Sequence, residues 1–127
     1  NTDCINCSND LDWKFIATVK KSVEDNMDNP SFNVDVLCNL LNMSRTSFYN
    51  KIKALTDQAP ADYIRLIRLK HAAQLLKEQK HTITEISELT GFSDAKYFRE
   101  VFKKHFDMSP SQYAKRGKEG KDDKEIK

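Results

Sequence analysis

The sequence predicts an all-α protein in which one supersecondary unit occurs twice. Residues 34–63 and 83–113 repeat one pattern, at an offset of 49 residues as far as Ser44 and Ser93 and of 50 residues from Phe48 and Phe98 onwards. One residue is therefore inserted in the second copy. Three glycines and three prolines in 127 residues, without any alternating apolar pattern long enough for a strand, favour helices throughout. Two copies are too few for a solenoid, so two linked modules are expected.

The first predicted helix spans Leu11 to Met27. Its apolar residues recur at the spacing of an amphipathic helix, at Phe15, Ile16, Val19, Val23 and Met27. Asp28-Asn29-Pro30 ends the helix, because proline cannot continue it. Residues 1–10 are polar and have no period, which indicates a linker or tail.

The first copy of the repeat is predicted to form two short helices joined by a tight turn. Asn33 is a suitable N-cap for a helix from Val34 to Leu41, and Asn42 suits the left-handed residue of the turn. Ser44 is expected to cap a second helix that ends near Leu55.

A long helix is predicted to follow. Pro60 fits its first turn, and the helix is expected to end at Lys77 or Gln79. Its buried face consists of Tyr63, Ile64, Ile67, Ala72, Ala73, Leu75 and Leu76. About eighteen residues give a rod of about 27 Å.

The second copy carries the same signals. Thr82 and Glu85 have the spacing of a capping box before a helix from Ile83 to Leu89. Gly91 supplies the turn, and Ser93 is expected to cap the next helix.

A last short helix and a charged tail are predicted at the end of the chain. Ser109-Pro110 opens the helix, which runs through Tyr113. The sequence after Ala114 is almost wholly Lys, Glu, Asp and Gly, so residues 116–127 are expected to be disordered.

Basic residues are concentrated in the second helix of each copy. The net charge of the chain is only +2, which is by itself weak support for a polyanionic partner. Arg45–Lys53, however, contains three basic residues and no acid, and Ala95–His105 contains four basic residues and one acid. The first helix is acidic instead, with Asp10, Asp12, Glu24, Asp25 and Asp28.

Several classes of protein are excluded by what the sequence lacks. No apolar run approaches the roughly 18 to 20 residues that span a bilayer, so no membrane contact by this fragment is expected. The three cysteines are an odd set, which argues against a disulfide framework and for a reducing compartment. Asn1 is not a start methionine, so the chain is expected to be part of a longer protein.

No cofactor site or enzyme active site is predicted. Cys4 and Cys7 have the spacing of half a zinc site, but no second pair completes it, and the histidines share no ligand spacing. The sequence contains no paired carboxylates at a defined cleft, no nucleophile and base couple and no phosphate-binding glycine loop. This fragment is therefore not expected to be an enzyme or to bind a metal.

Each copy has the helix-turn-helix pattern, in which a short helix, a tight turn and a second helix with a basic outer face follow one another. In that motif the second helix enters the major groove of DNA, while nearby basic side chains contact phosphates. One match is a common false positive, but two in tandem joined by a helix are much harder to obtain by chance. The repeat therefore predicts binding to double-stranded DNA.

The segment Thr82–Tyr113, TITEISELTGFSDAKYFREVFKKHFDMSPSQY, resembles the signature of the AraC/XylS family of transcription regulators. Ile64–Leu76 is similar to the linker helix of that family, and Met43–Tyr49 to its first recognition helix. The resemblance covers roughly residues 11–115. It implies the family's C-terminal DNA-binding domain, which has seven helices in two helix-turn-helix lobes joined by a long linker helix.

The lobes are expected over residues 11–57 and 82–114, with the linker helix over 60–79. The resemblance implies that the two recognition helices enter successive major grooves, about 34 Å apart along DNA. It therefore implies sequence-specific DNA binding for transcription regulation.

Residues 43–55 and 64–76 are most similar to the domains that end bacterial hybrid two-component sensors, in which kinase, receiver and regulator share one chain. This similarity implies the output domain of a signalling protein, a cytoplasmic location, and RNA polymerase and a receiver domain of the same chain as further partners. It leaves open whether the full-length chain has histidine kinase activity, whether it is anchored in a membrane with this domain on the cytoplasmic side, and whether it is an activator or a repressor.

In the first copy, the helical period buries Phe48, Ile52 and Leu55 and leaves five polar residues outward. By their position in the family motif, Thr46, Tyr49 and Asn50 resemble base-contacting residues, since Asn pairs with adenine and a Thr methyl or Tyr ring meets a thymine methyl. Arg45 and Lys53 are expected to contact phosphates. The direction of Lys51 stays open, because the family often has an apolar residue there.

In the second copy, the inner face consists of Phe98, Val101, Phe102 and Phe106. Ala95, Lys96 and Arg99 are the expected base-contacting residues, and Lys103 is the expected phosphate contact. Glu100 departs from the family pattern. It either accepts a hydrogen bond from cytosine N4 or pairs with Lys96 or Lys103, and the pairing is the favoured expectation.

The outward residues differ between the two copies, which predicts an asymmetric DNA site with two dissimilar half-sites. A competing hypothesis is a helical adaptor without DNA binding, which docks a receiver domain or polymerase through its acidic first helix. The adaptor predicts basic faces that tolerate charge reversal, whereas DNA binding predicts a steep dependence on salt.

Overall fold

The computed structural model describes Cys7 and residues 9–116, which form seven helices and no strand. The all-α prediction with seven helices is therefore confirmed. In chain order the helices are α1 (Asp10–Asp25), α2 (Val34–Leu40), α3 (Arg45–Thr56), α4 (Pro60–Glu78), α5 (Ile83–Leu89), α6 (Ala95–Phe106) and α7 (110–116). The tails expected over residues 1–10 and 116–127 lie almost entirely outside the described residues.

Polar side chains cap the first two helices of the repeat as the sequence predicts. The side chain of Asn33 accepts a hydrogen bond from the Val36 amide at 3.1 Å, and that of Ser44 accepts one from the Ser47 amide at 3.1 Å. Each bond satisfies an amide that the first turn of the helix leaves without an internal partner.

Two capping boxes begin later helices. Thr82 and Glu85 bond reciprocally at 2.8 and 3.1 Å at the start of α5, and Ser109 and Gln112 do so at 3.0 and 3.2 Å at the start of α7. The backbone amide of Thr82, followed by its side chain, lowers the pKa of the Glu85 carboxyl by hydrogen bonding. The capping box predicted for Thr82 and Glu85 is confirmed. The box at the start of α7 has the same pattern of hydrogen bonds, with the neutral amide of Gln112 in place of a carboxylate.

The cap of α6 differs from the prediction. Asp94, not Ser93, caps this helix, and its carboxylate accepts a hydrogen bond from the Lys96 amide at 2.9 Å. The turn before α6 consists of residues 90–94, whereas the turn before α3 consists of residues 41–44. The prediction of Ser93 was wrong because the residue inserted in the second copy lengthens the turn, which moves the helix start past the aligned serine.

The two copies share their unusual backbone geometry. Asn42 and Gly91 have φ of 54° and 80° in the two turns, as predicted for residues that tolerate the left-handed region. Asp57 and Asp107 cap the ends of α3 and α6 with φ of 60° and 59°, and the amide of each donates to the carbonyl oxygen four residues earlier. The repeated sequence is therefore a repeated backbone.

The chain divides into two compact units, each with its own apolar core. The first unit comprises the residues up to Met27 and Ser31–Arg68, and the second comprises Asp28–Pro30 and the residues from Leu69 onwards. The division falls inside α4, whose first half supplies Tyr63, Ile64 and Ile67 to one core and whose second half supplies Leu69, Ala72, Ala73 and Leu76 to the other. Burial of such side chains is the main favourable contribution to folding.

Arg68 is a charged residue of the first unit that is only 5% exposed. Its Nη1 donates to the carbonyl oxygen of Met27 at 2.8 Å, and its Nη2 donates to that of Phe32 at 3.2 Å. Burial lowers the pKa of the guanidinium. Met27 and Phe32 lie at the two ends of the connection between α1 and α2. Arg68 therefore holds both ends of this connection against α4.

The cysteines occupy different environments. Cys38 is free and buried in α2, and burial raises the pKa of its thiol. Its counterpart Ser87 is also buried, consistent with a place for a small side chain between packed helices. Cys7 is disulfide-bonded. The expectation concerned a framework of several disulfides, and one bonded cysteine does not test it.

Two kinds of feature are absent from the described residues. Cys7 and residues 9–116 contain no group of three or more His, Cys, Asp or Glu side chains arranged to hold a metal ion. Within the same residues, no helix combines the length and the apolar character needed to cross a membrane.

Candidate nucleic-acid interface

Helices α2 and α3 form the helix-turn-helix of the first unit. Leu37 and Cys38 of α2 belong to the same core as Phe48 and Ile52 of α3, which is the predicted inner face. The residues that the sequence assigns to DNA are all exposed on α3, namely Arg45, Thr46, Tyr49, Asn50 and Lys53. Their polar face is available to a partner.

Lys51 does not belong to this outer face. It is half-buried, and its Nζ lies 4.6 Å from the ring centroid of Phe15 in α1. The ring of Phe15 in turn meets Phe48 edge to face, with centroids 6.1 Å apart. Lys51 therefore makes a cation–π contact inside the unit, which explains how a lysine occupies a position where the family often has an apolar residue.

A recess of about 360 Å³ opens beside α3. It is lined by residues from α2, α3, the connection before α4 and the first turn of α4, namely Val34, Arg45, Thr46, Tyr49, Asn50, Ala59, Pro60 and Ala61. All three base-contacting residues expected in the first copy line it, together with Arg45 and four apolar residues. The expected contacts therefore converge on one site.

Arg45 forms an ion pair that the sequence analysis did not identify. Its Nη1 lies 3.0 Å from Oδ1 of Asp35 in α2, and the two side chains are 71% and 61% exposed. No local sequence signal predicts this pair, because a helix and a turn separate its members. The ion pair places the carboxylate of Asp35 next to Arg45, one of the residues that line the recess.

Helices α5 and α6 form the helix-turn-helix of the second unit. Phe98 and Phe102 are fully buried, whereas Lys96, Arg99, Glu100 and Lys103 are exposed and Ala95 is half-buried. The expected DNA contacts with charged side chains thus lie on the outer face of α6. Ala95 offers only a small side chain there.

Glu100 forms no ion pair in the part of the chain that the structure describes. Its pairing with Lys96 or Lys103, and the alternative contact with cytosine N4, both stay predictions. Glu100 remains a solvated carboxylate on a basic face.

Aromatic rings hold α6 in place. The ring centroid of Phe102 lies 5.7 Å from that of Phe98, 4.4 Å from that of Phe106 and 5.4 Å from that of Tyr113. Tyr113 therefore packs against the rings of α6. Tyr97 is 44% exposed on α6, an aromatic beside the basic residues that the sequence analysis did not assign to the interface.

Counting from the N-caps Ser44 and Asp94, the two recognition helices present different side chains at matching positions. The matched pairs are Thr46 with Lys96, Tyr49 with Arg99, and Asn50 with Glu100. The first helix is neutral at all three positions, and the second is charged at all three. One backbone therefore carries two different chemical surfaces.

The family model described as a helix-turn-helix domain matches residues 37–116, which run from the middle of α2 to the end of α7. The chain belongs to the AraC-type helix-turn-helix family. This AraC-type domain is 45% identical over 106 residues to Histidine kinase P4 of Formosa agariphila, a match that covers 84% of the chain and 8% of that protein.

The AraC-type domain is also 33% identical over 108 residues to the Msm operon regulatory protein of Streptococcus mutans, covering 85% of the chain and 38% of that protein. The chain thus spans less than a tenth of the first relative and less than two fifths of the second. In a crystal structure, the DNA-binding domain of the global transcriptional factor AdpA, in complex with a target DNA, matches with a TM-score of 0.72 and 25% identity. That match covers 79% of this chain and 89% of the AdpA chain.

Proposed function

We propose that this AraC-type domain binds double-stranded DNA in a sequence-specific manner and thereby regulates transcription. The observation that carries the proposal is the pair of helix-turn-helix units with one backbone and different exposed side chains. A structural repeat alone needs only a similar core and similar turns in the two copies. Different polar residues at matching exposed positions are what reading two unlike DNA segments requires.

The proposed base contacts of α3 are Thr46, Tyr49 and Asn50, which surround the recess of the first unit. The apolar residues of that recess suit a thymine methyl, and the Asn50 amide suits the N6 and N7 atoms of adenine. The proposed base contacts of α6 are Lys96 and Arg99, with Ala95 beside them. The two charged side chains suit the acceptors of guanine.

Lys53 and Lys103 are the proposed phosphate contacts. They occupy matching positions in the last turns of α3 and α6, and both are exposed. A lysine there supplies a charge without base selectivity. Arg45 was expected to act in the same way, but its ion pair with Asp35 gives it a different environment.

The whole protein is proposed to be a signalling protein that ends in this domain, with α3 and α6 entering successive major grooves of its target. The 45% identity to a protein named a histidine kinase supports that context. A receiver domain in the same chain, RNA polymerase as a partner and a cytoplasmic position of the domain, with or without a membrane anchor elsewhere, belong to the same proposal.

Fluorescence anisotropy with DNA from upstream of the protein's own operon tests the function. We expect that DNA to bind more tightly than a shuffled duplex, and the affinity to fall steeply with salt. Asn50→Ala and Arg99→Ala should each weaken binding to the matched duplex by about 1–3 kcal/mol. Lys14→Ala, an exposed change in α1, is the control and should have little effect.

The proposal fails if the upstream DNA shows no preference over the shuffled duplex while both variants are silent. Two results together would support the adaptor hypothesis instead. Charge reversal at Lys96 and Lys103 would leave the affinity for DNA unchanged, and a receiver domain would bind through α1.

A further inference from the structure

An ion pair joins the beginnings of the two helices in the first helix-turn-helix. Asp35 lies in the first turn of α2, and Arg45 is the first residue of α3. Their charged atoms are 3.0 Å apart, and both side chains remain mostly exposed. The pair therefore lies at the surface, beside the residues proposed to contact bases.

This pair is present in the first copy of the repeat alone. The positions of Asp35 and Arg45 carry Thr84 and Ala95 in the second copy, so both charges are missing together. The left-handed residues of the two copies match without it, and an exposed ion pair contributes little to stability. The repeated fold therefore does not require the pair.

Asp35 changes what Arg45 offers to DNA. A lone guanidinium attracts phosphates whatever the base sequence. Asp35 offsets that charge and holds Nη1, while the other N–H groups of the rigid, planar guanidinium keep a restricted orientation. Directional hydrogen bonding is retained, and attraction to the DNA backbone is reduced.

The position of Arg45 favours a base contact. It begins α3, and the N-terminal residues of a recognition helix are those that contact base edges. It also lines the same recess as Thr46 and Asn50. Lys53, in the last turn of α3, does not share this location.

We propose that Asp35 is a positioning residue that makes Arg45 a guanine contact, in place of the phosphate contact expected from the sequence. Guanine presents two acceptors, O6 and N7, in the major groove, and an oriented guanidinium matches them. The inference rests on the proposed DNA-binding function. It assigns a G·C pair to the first half-site, next to the base pairs contacted by Thr46 and Asn50.

Asp35→Asn is the test, because it keeps the size of the side chain and removes its charge. Anisotropy titrations would use the matched duplex, duplexes with each G·C pair of the first half-site changed to A·T, and a random duplex. We expect Asp35→Asn to bind random DNA more tightly, with a salt slope steeper by about 1. It should also lose most of a roughly tenfold preference for one G·C pair.

Arg45→Lys is a second test that keeps the charge but removes the planar fork. It should lose the same G·C preference. Asp62→Asn is the matched control, because Asp62 forms an exposed 2.7 Å ion pair with Arg65 within α4. That control should leave the G·C preference unchanged. If Asp35→Asn melts at a lower temperature, Arg45→Lys still tests the base contact.

An Asp35→Asn protein with wild-type G·C preference and salt slope overturns the inference. An Arg45→Ala protein that weakens equally on every duplex also overturns it, since that is the behaviour of a phosphate contact. Failure of the wild-type protein to prefer any duplex over random DNA would instead refute the proposed function.

Discussion

Arg68 donates a hydrogen bond from Nη1 to the carbonyl oxygen of Met27 at 2.8 Å, across 41 residues of sequence. Nη2 reaches the carbonyl oxygen of Phe32 from the same side chain. Two backbone carbonyls of the connection before α2 thus depend on one buried cation. Since α2 supports α3, this contact helps to determine where the first recognition helix lies.

Arg68→Met should destabilise the protein by about 2–4 kcal/mol, because methionine fills similar space but leaves two carbonyls without these donors. Urea unfolding monitored by circular dichroism measures the change. Arg65→Met is the matched control in the same helix, since it removes only an exposed ion pair with Asp62 and should cost less than about 1 kcal/mol. Equal losses for the two variants would contradict the role assigned to Arg68.

Lys103→Ala should weaken binding to matched and random duplexes by the same factor. If Lys103 contacts one phosphate, the slope of log affinity against log salt should become shallower by about 0.9. Anisotropy titrations at several salt concentrations measure this slope. Arg99→Ala provides the contrast, because a base contact should lose affinity mainly for the matched duplex. A Lys103→Ala protein with an altered base preference would contradict the phosphate contact assigned to Lys103.

Exchanging the two half-sites within the matched duplex should reduce binding to the level of random DNA. Thr46, Tyr49 and Asn50 cannot make the contacts that Lys96 and Arg99 make, because neutral and cationic side chains suit different base edges. A duplex with both half-sites in place and exchanged flanking sequences is the control. Unchanged affinity after the half-site exchange would mean that the two helices have the same preference.

The capping box of α5 should make stability depend on pH. Hydrogen bonds from Thr82 lower the pKa of Glu85 below its ordinary value of 4.5. The ionised carboxylate therefore contributes its full stabilisation above the ordinary pKa, and this contribution is lost as pH falls through the lowered pKa. The difference in unfolding free energy between wild type and Glu85→Ala should shrink as the pH is lowered through that range.

Gln112→Ala is the matched control for Glu85→Ala, because Gln112 closes the box of α7 with an amide that does not titrate. Its effect on unfolding free energy should stay constant with pH. If the loss of unfolding free energy changes with pH in the same way for both variants, ionisation of Glu85 does not contribute to stability.

Local signals predicted most of the fold. Asn42 and Gly91 were identified from their tolerance of positive φ, and Thr82 and Glu85 from the spacing of a capping box, since both depend on a few adjacent residues. The cap of α6 was misplaced because an inserted residue makes Asp94, not the aligned Ser93, the last residue of a longer turn. A one-residue difference in a turn has no signal in helical periodicity.

Contacts between distant residues could not be predicted. The cation–π contact of Lys51 with Phe15 and the ion pair of Arg45 with Asp35 depend on how helices pack, not on spacing within one helix. For the same reason, the sequence predicted which side chains of α3 face outward but not the recess that they share. The outward pattern needs only the period of a helix, whereas a recess needs three elements in their folded positions.

The division of α4 between two cores bears on how the domain folds. Starting a helix is unfavourable, and extending it is easier, so a single nucleation event in α4 prepares an apolar surface for both Tyr63 and Leu76. Loss of either core would leave half of a 19-residue helix without its packing partners. A fragment that ends between Arg68 and Leu69 would therefore cut through a helix that contributes side chains to both cores.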